Sequence, residues 1–342
     1  MSSTKTTEIA ALGEFGLIDR LTKQLGRRHA TTLYGAGDDA AVIDLGDEVL
    51  LISCDMLSEG IDFDLRYFAP KLLGYKAVVR GINDIVAMNA HAEQIVVALG
   101  VSAKISVEFL DELYEGIEHA CKQYNVDLVG GDTTSTLNGM TISITAIGRA
   151  KREDVVYRTG AQEHDLICIS ANLGAAYMGL HLLERESRVL SDIDNPEPKF
   201  AGNEYLLERY LKPRARIDII EALAEAGIRP TSMIDLSDGL ASDLRQICRS
   251  SKCGARIYLE RIPIARQTTA LAEEMNIDPV IAALNGGEDH ELLFTVPLSM
   301  QEKIQSLQMV DIIGHITSEQ SGVTLVTPDG EAIALKAPAF DR

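Results

Sequence analysis

Five turns along the chain carry clustered carboxylates: Gly37-Asp38-Asp39, Ser53-Cys54-Asp55, Asn83-Asp84, Gly130-Gly131-Asp132-Thr133 and Asp235-Leu236-Ser237-Asp238-Gly239. A short carboxylate on a rigid base, partly removed from water, suits a hard cation that takes several oxygen ligands. Asp before Gly or Ser also makes turns and caps helices, and for any single cluster that is the simpler reading. Five together favour divalent metal. Asp84 stands apart, because its neighbours Ile82, Ile85 and Val86 are apolar. A ligand or a buried polar contact explains such a carboxylate better than a solvated helix face does. An i,i+4 ion pair with Arg80 is the alternative.

Other chemistries lack their residues. Gly35-Ala36-Gly37-Asp38-Asp39-Ala40 imitates a dinucleotide-binding turn, but two carboxylates inside it would repel a pyrophosphate. No G-x-x-x-x-G-K-[ST] exists, which excludes a P-loop. His290 adjoins Glu288, Asp289 and Glu291, yet the seven histidines contain no H-E-x-x-H or paired-His spacing for zinc hydrolysis. The five cysteines are odd in number and form no C-x-x-C pair, so neither a disulfide framework nor a thiolate zinc site is indicated, and a reducing cytoplasm is expected.

With 32 Lys+Arg against 51 Asp+Glu in 342 residues, the net charge of −19 repels phosphate backbones and anionic lipid surfaces. Neither nucleic acid nor membrane is an expected partner. An anionic substrate would need a cation between itself and these carboxylates. No apolar run approaches the ~18 residues of a membrane span.

The elements that must position the clusters alternate. A helix is expected over Gly13–Leu25, a strand over Val49–Cys54 with Asp55 at its end, and a helix from Pro70 that carries Asp84. Strand Gln94–Leu99, a helix capped by Ser106, strand Val126–Val129 running into Gly130–Thr134, and strand Met140–Ile147 follow. The second half repeats the mixture, with strands Asp165–Ser170 and Ser232–Leu236, and helices Gly174–Glu184, Ala215–Ala226 and one through Ile247. Glu186–Asn203 reads as a connection. The order predicts a two-domain α/β (α+β) architecture, divided as 1–150 and 151–342. Three of the clusters then stand where an apolar strand ends, the place where ligands gather in open α/β sheets.

Gly-Glu-Phe-Gly-Leu-Ile at 13–18, Gly-Asp-Asp-Ala-Ala at 37–41, Gly-Gly-Asp-Thr-Thr at 130–134, Ile-Asp-Leu-Ser-Asp-Gly-Leu at 234–240 and Gly-Gly-Glu-Asp-His-Glu-Leu at 286–292 together resemble the thiamine-monophosphate kinase family. That family lies in the superfamily of aminoimidazole ribonucleotide synthetase. The resemblance implies a homodimer paired through its N-terminal α/β domains, with a C-terminal α/β domain on each. It also implies transfer of the γ-phosphoryl of ATP to thiamine monophosphate, giving thiamine diphosphate.

By position, the resemblance makes Asp39, Ser53, Asp55, Asp84, Asp132 and Asp235 ligands of a cluster of Mg²⁺ ions, with Asp238 on a further ion. Asp39, Asp84, Asp132, Asp235 and Arg158 would carry the reaction. Tyr114, Gly131, Asp132, Arg158 and Ser237 match nucleotide-contacting positions, and Asp62, Glu288 and Phe340 match positions that face the thiamine substrate. Two departures stand out. The family's Ser-Thr-Asp is Ser53-Cys54-Asp55 here, which leaves the Cys54 carbonyl or a weak thiol as the metal contact. The family's Gly-x-His-Phe is Gly60-Ile61-Asp62-Phe63, so an Asp stands where a His faces the substrate.

Overall fold

The computed structural model describes residue 8 and residues 11–190 and 199–337. Its first half runs α1 (Gly13–Thr22), β1 (Thr32–Tyr34), β2 (Ala41–Asp44), β3 (Glu48–Ser58), α2 (Pro70–Ala87), β4 (His91–Ser102), α3 (Val107–Tyr124), β5 (Asp127–Thr136) and β6 (Met140–Lys151). The strands form one sheet in the order β1-β2-β3-β6-β4-β5, in which β4 and β5 are parallel and joined through α3. Alternation decides the faces. On β6, Met140, Ile142, Ile144 and Ala146 are buried under α2, and the residues between them are only partly covered.

Pro70 starts α2, where its missing N–H costs nothing, and the Ser106 side chain accepts the Phe109 N–H to cap α3. The two helices cross closely because Gly74 and Gly116 sit at the contact. A Cβ on Gly74 would lie 2.0 Å from the Leu113 carbonyl oxygen, and one on Gly116 would lie 1.9 Å from that of Lys71. No side chain fits there.

The second half runs β7 (Leu166–Ser170), α4 (Ala175–Leu190), α5 (Glu204–Leu211), α6 (Ile217–Glu225), β8 (Ser232–Asp235), α7 (Leu240–Ser251), β9 (Gly254–Tyr258), α8 (Arg266–Glu274), α9 (Pro279–Asn285), β10 (Leu292–Val296), α10 (Gln301–Ser306), β11 (Val310–Thr317), β12 (Val323–Val326) and β13 (Ala332–Ala334). Its sheet has the order β13-β12-β9-β11-β7-β10-β8 and is antiparallel except for the β12–β9 pair. Every residue of β7, β8 and β10 is buried, because helices cover both faces.

The helix α2 belongs to both halves. Val78, Val79 and Ile82 pack in the first core, while Val86 and Ala87 pack with Ile219, Leu223 and Phe294 of the second. Charged groups on α2 therefore stand at the seam between the two sheets.

The expected elements differ from the observed ones in three places. Asp55 lies inside β3, which continues through Ser58, and Gly130–Thr134 lies inside β5, so neither Asp55 nor Asp132 stands at a strand end. Each strand is prolonged by backbone pairing to its neighbour, β6 for β3 and β4 for β5. Glu186 belongs to α4 rather than to a connection, and its buried carboxylate accepts the Lys199 N–H at 2.9 Å. Among the described residues, no helix is long and apolar enough to cross a membrane.

Candidate active site

The seam opens into a cavity of about 830 Å³ whose walls include Asp38, Asp39, Asp55, Asp84, Asp235 and Asp238. Asp39 comes from the turn before β2, Asp55 from β3, Asp84 from α2 and Asp235 from the end of β8. One carboxylate oxygen from each of Asp39, Asp84 and Asp235 lies within 4.8 Å of the other two. Such a group repels itself. Burial first, then the charges of Asp55, Asp235 and Asp39, push the Asp84 pKa well above the ordinary carboxylate value. Burial likewise raises Asp55, carries Asp39 to about 6 in spite of Arg158, and with the Asp39 charge carries Asp38 to about 7.

The Asp39 Oδ2 and Asp55 Oδ2 atoms are buried and have no hydrogen-bond partner among the described residues. An all-oxygen, anionic, underbonded group of this kind fits a hard divalent cation of the Mg²⁺ type, which would satisfy these atoms and cancel their repulsion.

Two arginines flank the carboxylates. Arg158, just beyond β6, donates from Nη2 to Asp39 Oδ1 at 2.5 Å and from its backbone N–H to Asp38 Oδ2 at 3.1 Å. Arg80, one turn before Asp84 on α2, donates from Nη1 to Asp62 Oδ1 at 2.8 Å, and its Nε lies 3.6 Å from Asp55. The i,i+4 pair between Arg80 and Asp84 does not form, because three other carboxylates claim the guanidinium.

The loop Gly286–Glu291 divides its charged side chains between two tasks. Glu288 and His290 both adopt left-handed backbone conformations, with φ of 61° and 50°. Gly287 precedes them at φ 71°, and a Cβ there would fall 2.6 Å from the Ser237 carbonyl oxygen. Glu288 faces the cavity and pairs with Lys76 Nζ at 2.7 Å. Burial alone would raise its pKa, but Lys76, His290 and Arg80 hold it well below the usual carboxylate range. The fully buried His290 ring sits 3.8 Å from both Asp235 and Glu288. Asp289 and Glu291 turn the other way. Asp289 accepts the Gly174 N–H at 2.8 Å at the start of α4, and Glu291 accepts Ser170 Oγ at 2.5 Å and is gripped by Arg209 and Arg216.

The other expected site residues divide between the cavity wall and the rest of the fold. Ser53 is buried and its hydroxyl donates to the Gly81 carbonyl at 3.0 Å. The Cys54 thiol lies 3.6 Å from Ser143 Oγ on the outer sheet face, so only its main chain faces the cavity side. Ser237 and Asp238 line the cavity. Tyr114 is exposed on α3, and Gly131 and Asp132 lie on the edge strand β5, none of them in the cavity wall. The register Met56–Ser143–Ala98–Asp132 puts Asp132 on the outer face of the sheet, opposite to Asp55 in the row Asp55–Ile144–Val97–Gly131. Phe340 lies outside the described residues.

Lys76, Arg80, His290 and Asp243 were not expected in the site. Asp243 is buried and accepts the backbone N–H groups of Asp238 and Gly239 at 3.3 and 3.1 Å, which fixes the turn after β8. A signal for the first two exists. Lys76, Arg80, Asn83 and Asp84 recur at i, i+4, i+7 and i+8, a polar stripe along one face of an otherwise apolar helix.

Residues 37–150 match the family model for the AIR synthase related protein N-terminal domain, and residues 151–335 match the model for its C-terminal domain. The chain is 34% identical to the thiamine-monophosphate kinase of Buchnera aphidicola subsp. Schizaphis graminum, covering 95% of this chain and 97% of that protein. The chain belongs to the thiamine-monophosphate kinase family. The enzyme of this name from Escherichia coli strain K12 is 32% identical over 97% of this chain and 98% of its own length. Among solved structures, AaThiL complexed with AMPPCP and TMP superposes with a TM-score of 0.82 at 29% identity, covering 96% of this chain and 97% of that one. Membership in the thiamine-monophosphate kinase family accounts for the two mixed α/β domains.

Proposed function

We propose that this enzyme transfers the γ-phosphoryl group of ATP to the phosphate of thiamine monophosphate, yielding ADP and thiamine diphosphate. The observation that carries this reading is the convergence of Asp39, Asp84 and Asp235 between two arginines in one cavity, in a chain whose relatives include the AMPPCP and TMP complex. Mg²⁺ ions held by Asp39, Asp55, Asp84 and Asp235, with Asp238 on a further ion, would cancel the repulsion between two phosphate groups and stabilise charge on the transferring one.

The side chains supply position. An oxygen of the acceptor phosphate forms the new bond to the γ-phosphorus, the bridging bond to the β-phosphate breaks, and ADP leaves with that electron pair. With a second pKa of about 6 the acceptor is already largely ionised at neutral pH, so no basic side chain is required. This suits a cavity in which His290 is wedged between Asp235 and Glu288. Arg158 and Ser237 are the nucleotide contacts within the cavity, and Asp62 and Glu288 mark the thiamine end.

Tyr114, Gly131 and Asp132 enter this reading only with a second copy. The outer sheet face carries Leu50, Ile52, Met56, Val96 and Ile147, apolar residues that none of the described residues covers fully. Pairing two such faces in a homodimer would bury them and bring Asp132 of each chain toward a neighbouring site.

A coupled assay of ADP release tests the reaction. One ADP per thiamine diphosphate, with free thiamine inert, is the expected outcome. Turnover of thiamine as fast as of its monophosphate would overturn it.

A further inference from the structure

Thiamine monophosphate brings an anionic group to a wall built from Asp55, Asp62, Asp84 and Glu288. A carboxylate meeting a phosphate at contact distance is repelled even at an effective dielectric of ~20. Lys76 compensates Glu288 at 2.7 Å, but Lys76 is completely buried and its ammonium stacks 3.7 Å above the Tyr210 ring, so it cannot reach a ligand. The guanidinium of Arg80 can.

We propose that Arg80 receives the phosphate of the acceptor and thereby makes a phosphate-bearing acceptor a requirement; this rests on the reaction proposed above. Its Nη1 is committed to Asp62 at 2.8 Å and approaches Glu288 at 3.5 Å, and its Nε faces Asp55 at 3.6 Å. The remaining nitrogen, Nη2, donates no hydrogen bond among the described residues, and the side chain keeps 19% of its surface open in the cavity wall. Guanidinium donors in a fixed fork suit a phosphate, and Asp62, itself held by the Ser58 N–H at 2.8 Å, fixes the plane of that fork. Arg80 also stands one helical turn from Asp84, so a phosphate on Nη2 lies beside the carboxylate group. The Asp at position 62, where the family has a His, then serves as the anchor of a cation rather than as a contact to the substrate.

Two measurements test this. Steady-state kinetics of Arg80→Met should raise the KM for thiamine monophosphate at least about tenfold and leave the KM for ATP within about twofold. Arg80→Lys, which keeps the charge without the fork, should fall between. In the double variant Asp62→Ala/Arg80→Met the wall regains the net charge of the parent, and KM should remain high; recovery to the parent value would show that Arg80 only neutralises Asp62 and would overturn the proposal. Calorimetric titration separates this from the reaction itself. The parent protein should bind thiamine monophosphate at least about tenfold more tightly than thiamine, and Arg80→Met should abolish that difference. If the parent protein shows the preference but does not turn over, the proposed reaction fails while Arg80 stands. If Arg80→Met keeps the preference, Arg80 fails whatever the activity.

Discussion

The Lys76 ammonium lies 2.7 Å from the Glu288 carboxylate, joining α2 to the loop before β10 across 212 residues of sequence. Tyr210 of α5 closes the pair from the other side, with its ring 3.7 Å from the nitrogen and its hydroxyl donating to the Asp62 carbonyl at 3.2 Å. Burial pulls the Lys76 pKa down while Glu288 holds it up. Removing one partner leaves a buried charge uncompensated, so Lys76→Met should destabilise the fold by about 3 kcal/mol. Lys76→Met/Glu288→Gln should recover a large part of that loss in denaturant titration. An additive double variant would mean that the pair contributes nothing to stability.

Asp84 is held among like charges and fails to gain a cation from Arg80. Asp84→Asn should therefore lower kcat at least about 100-fold while leaving the metal-free protein melting at or above the parent temperature, because the amide relieves a repulsion. A melting temperature well below the parent would mean that the carboxylate is a structural partner.

Legibility followed the range of the interactions. The helix from Pro70, the Ser106 cap and the alternation on β6 depend on neighbours in sequence, and these were readable. The unusual position of Asp84 was readable for the same reason, as a charge in an apolar helix. The face occupied by Asp132 was not. A register shift between Ile95 and Val96 leaves Val129 unpaired, and one extra residue sends every later side chain of β5 to the opposite face. The i+4 neighbour of Arg80 is Asp84, whereas its shortest contact is to Asp62 and another is to Glu288, 208 residues away. Sequence spacing carries no record of such a partner.

Protons and metal should compete for the site. In the metal-free protein Asp38, near 7, and Asp39, near 6, hold protons that an unfolded chain has released above about pH 4. The folded state then binds more protons across that interval. Stability from these groups is full below the unfolded pKa and is lost as the pH rises through the folded values. The melting temperature in chelator should fall between about pH 5.5 and pH 8, and the increase on adding Mg²⁺ should be larger at the higher pH. A Mg²⁺ effect that is the same at both pH values would count against Asp39 as a ligand.

Subunit complementation decides where Asp132 acts. Its outer-face position, opposite to Asp55, bars it from its own chain's carboxylate group, whereas Asp235 lies within that group. If two copies pair through the outer face and exchange Asp132, then Asp132→Asn and Asp235→Asn each inactivate both sites of a homodimer. A mixed dimer differs. One of its sites combines an intact Asp235 with an intact Asp132 from the other chain, and its second site lacks both. Refolding an equimolar mixture of the two inactive variants should then restore about a quarter of the parent activity, since half of the dimers are mixed and half of their sites are whole. Sedimentation should show a dimer at micromolar concentration. Recovery of no activity from a mixture proven to exchange subunits would remove Asp132 from the site, and a monomer at that concentration would remove the homodimer.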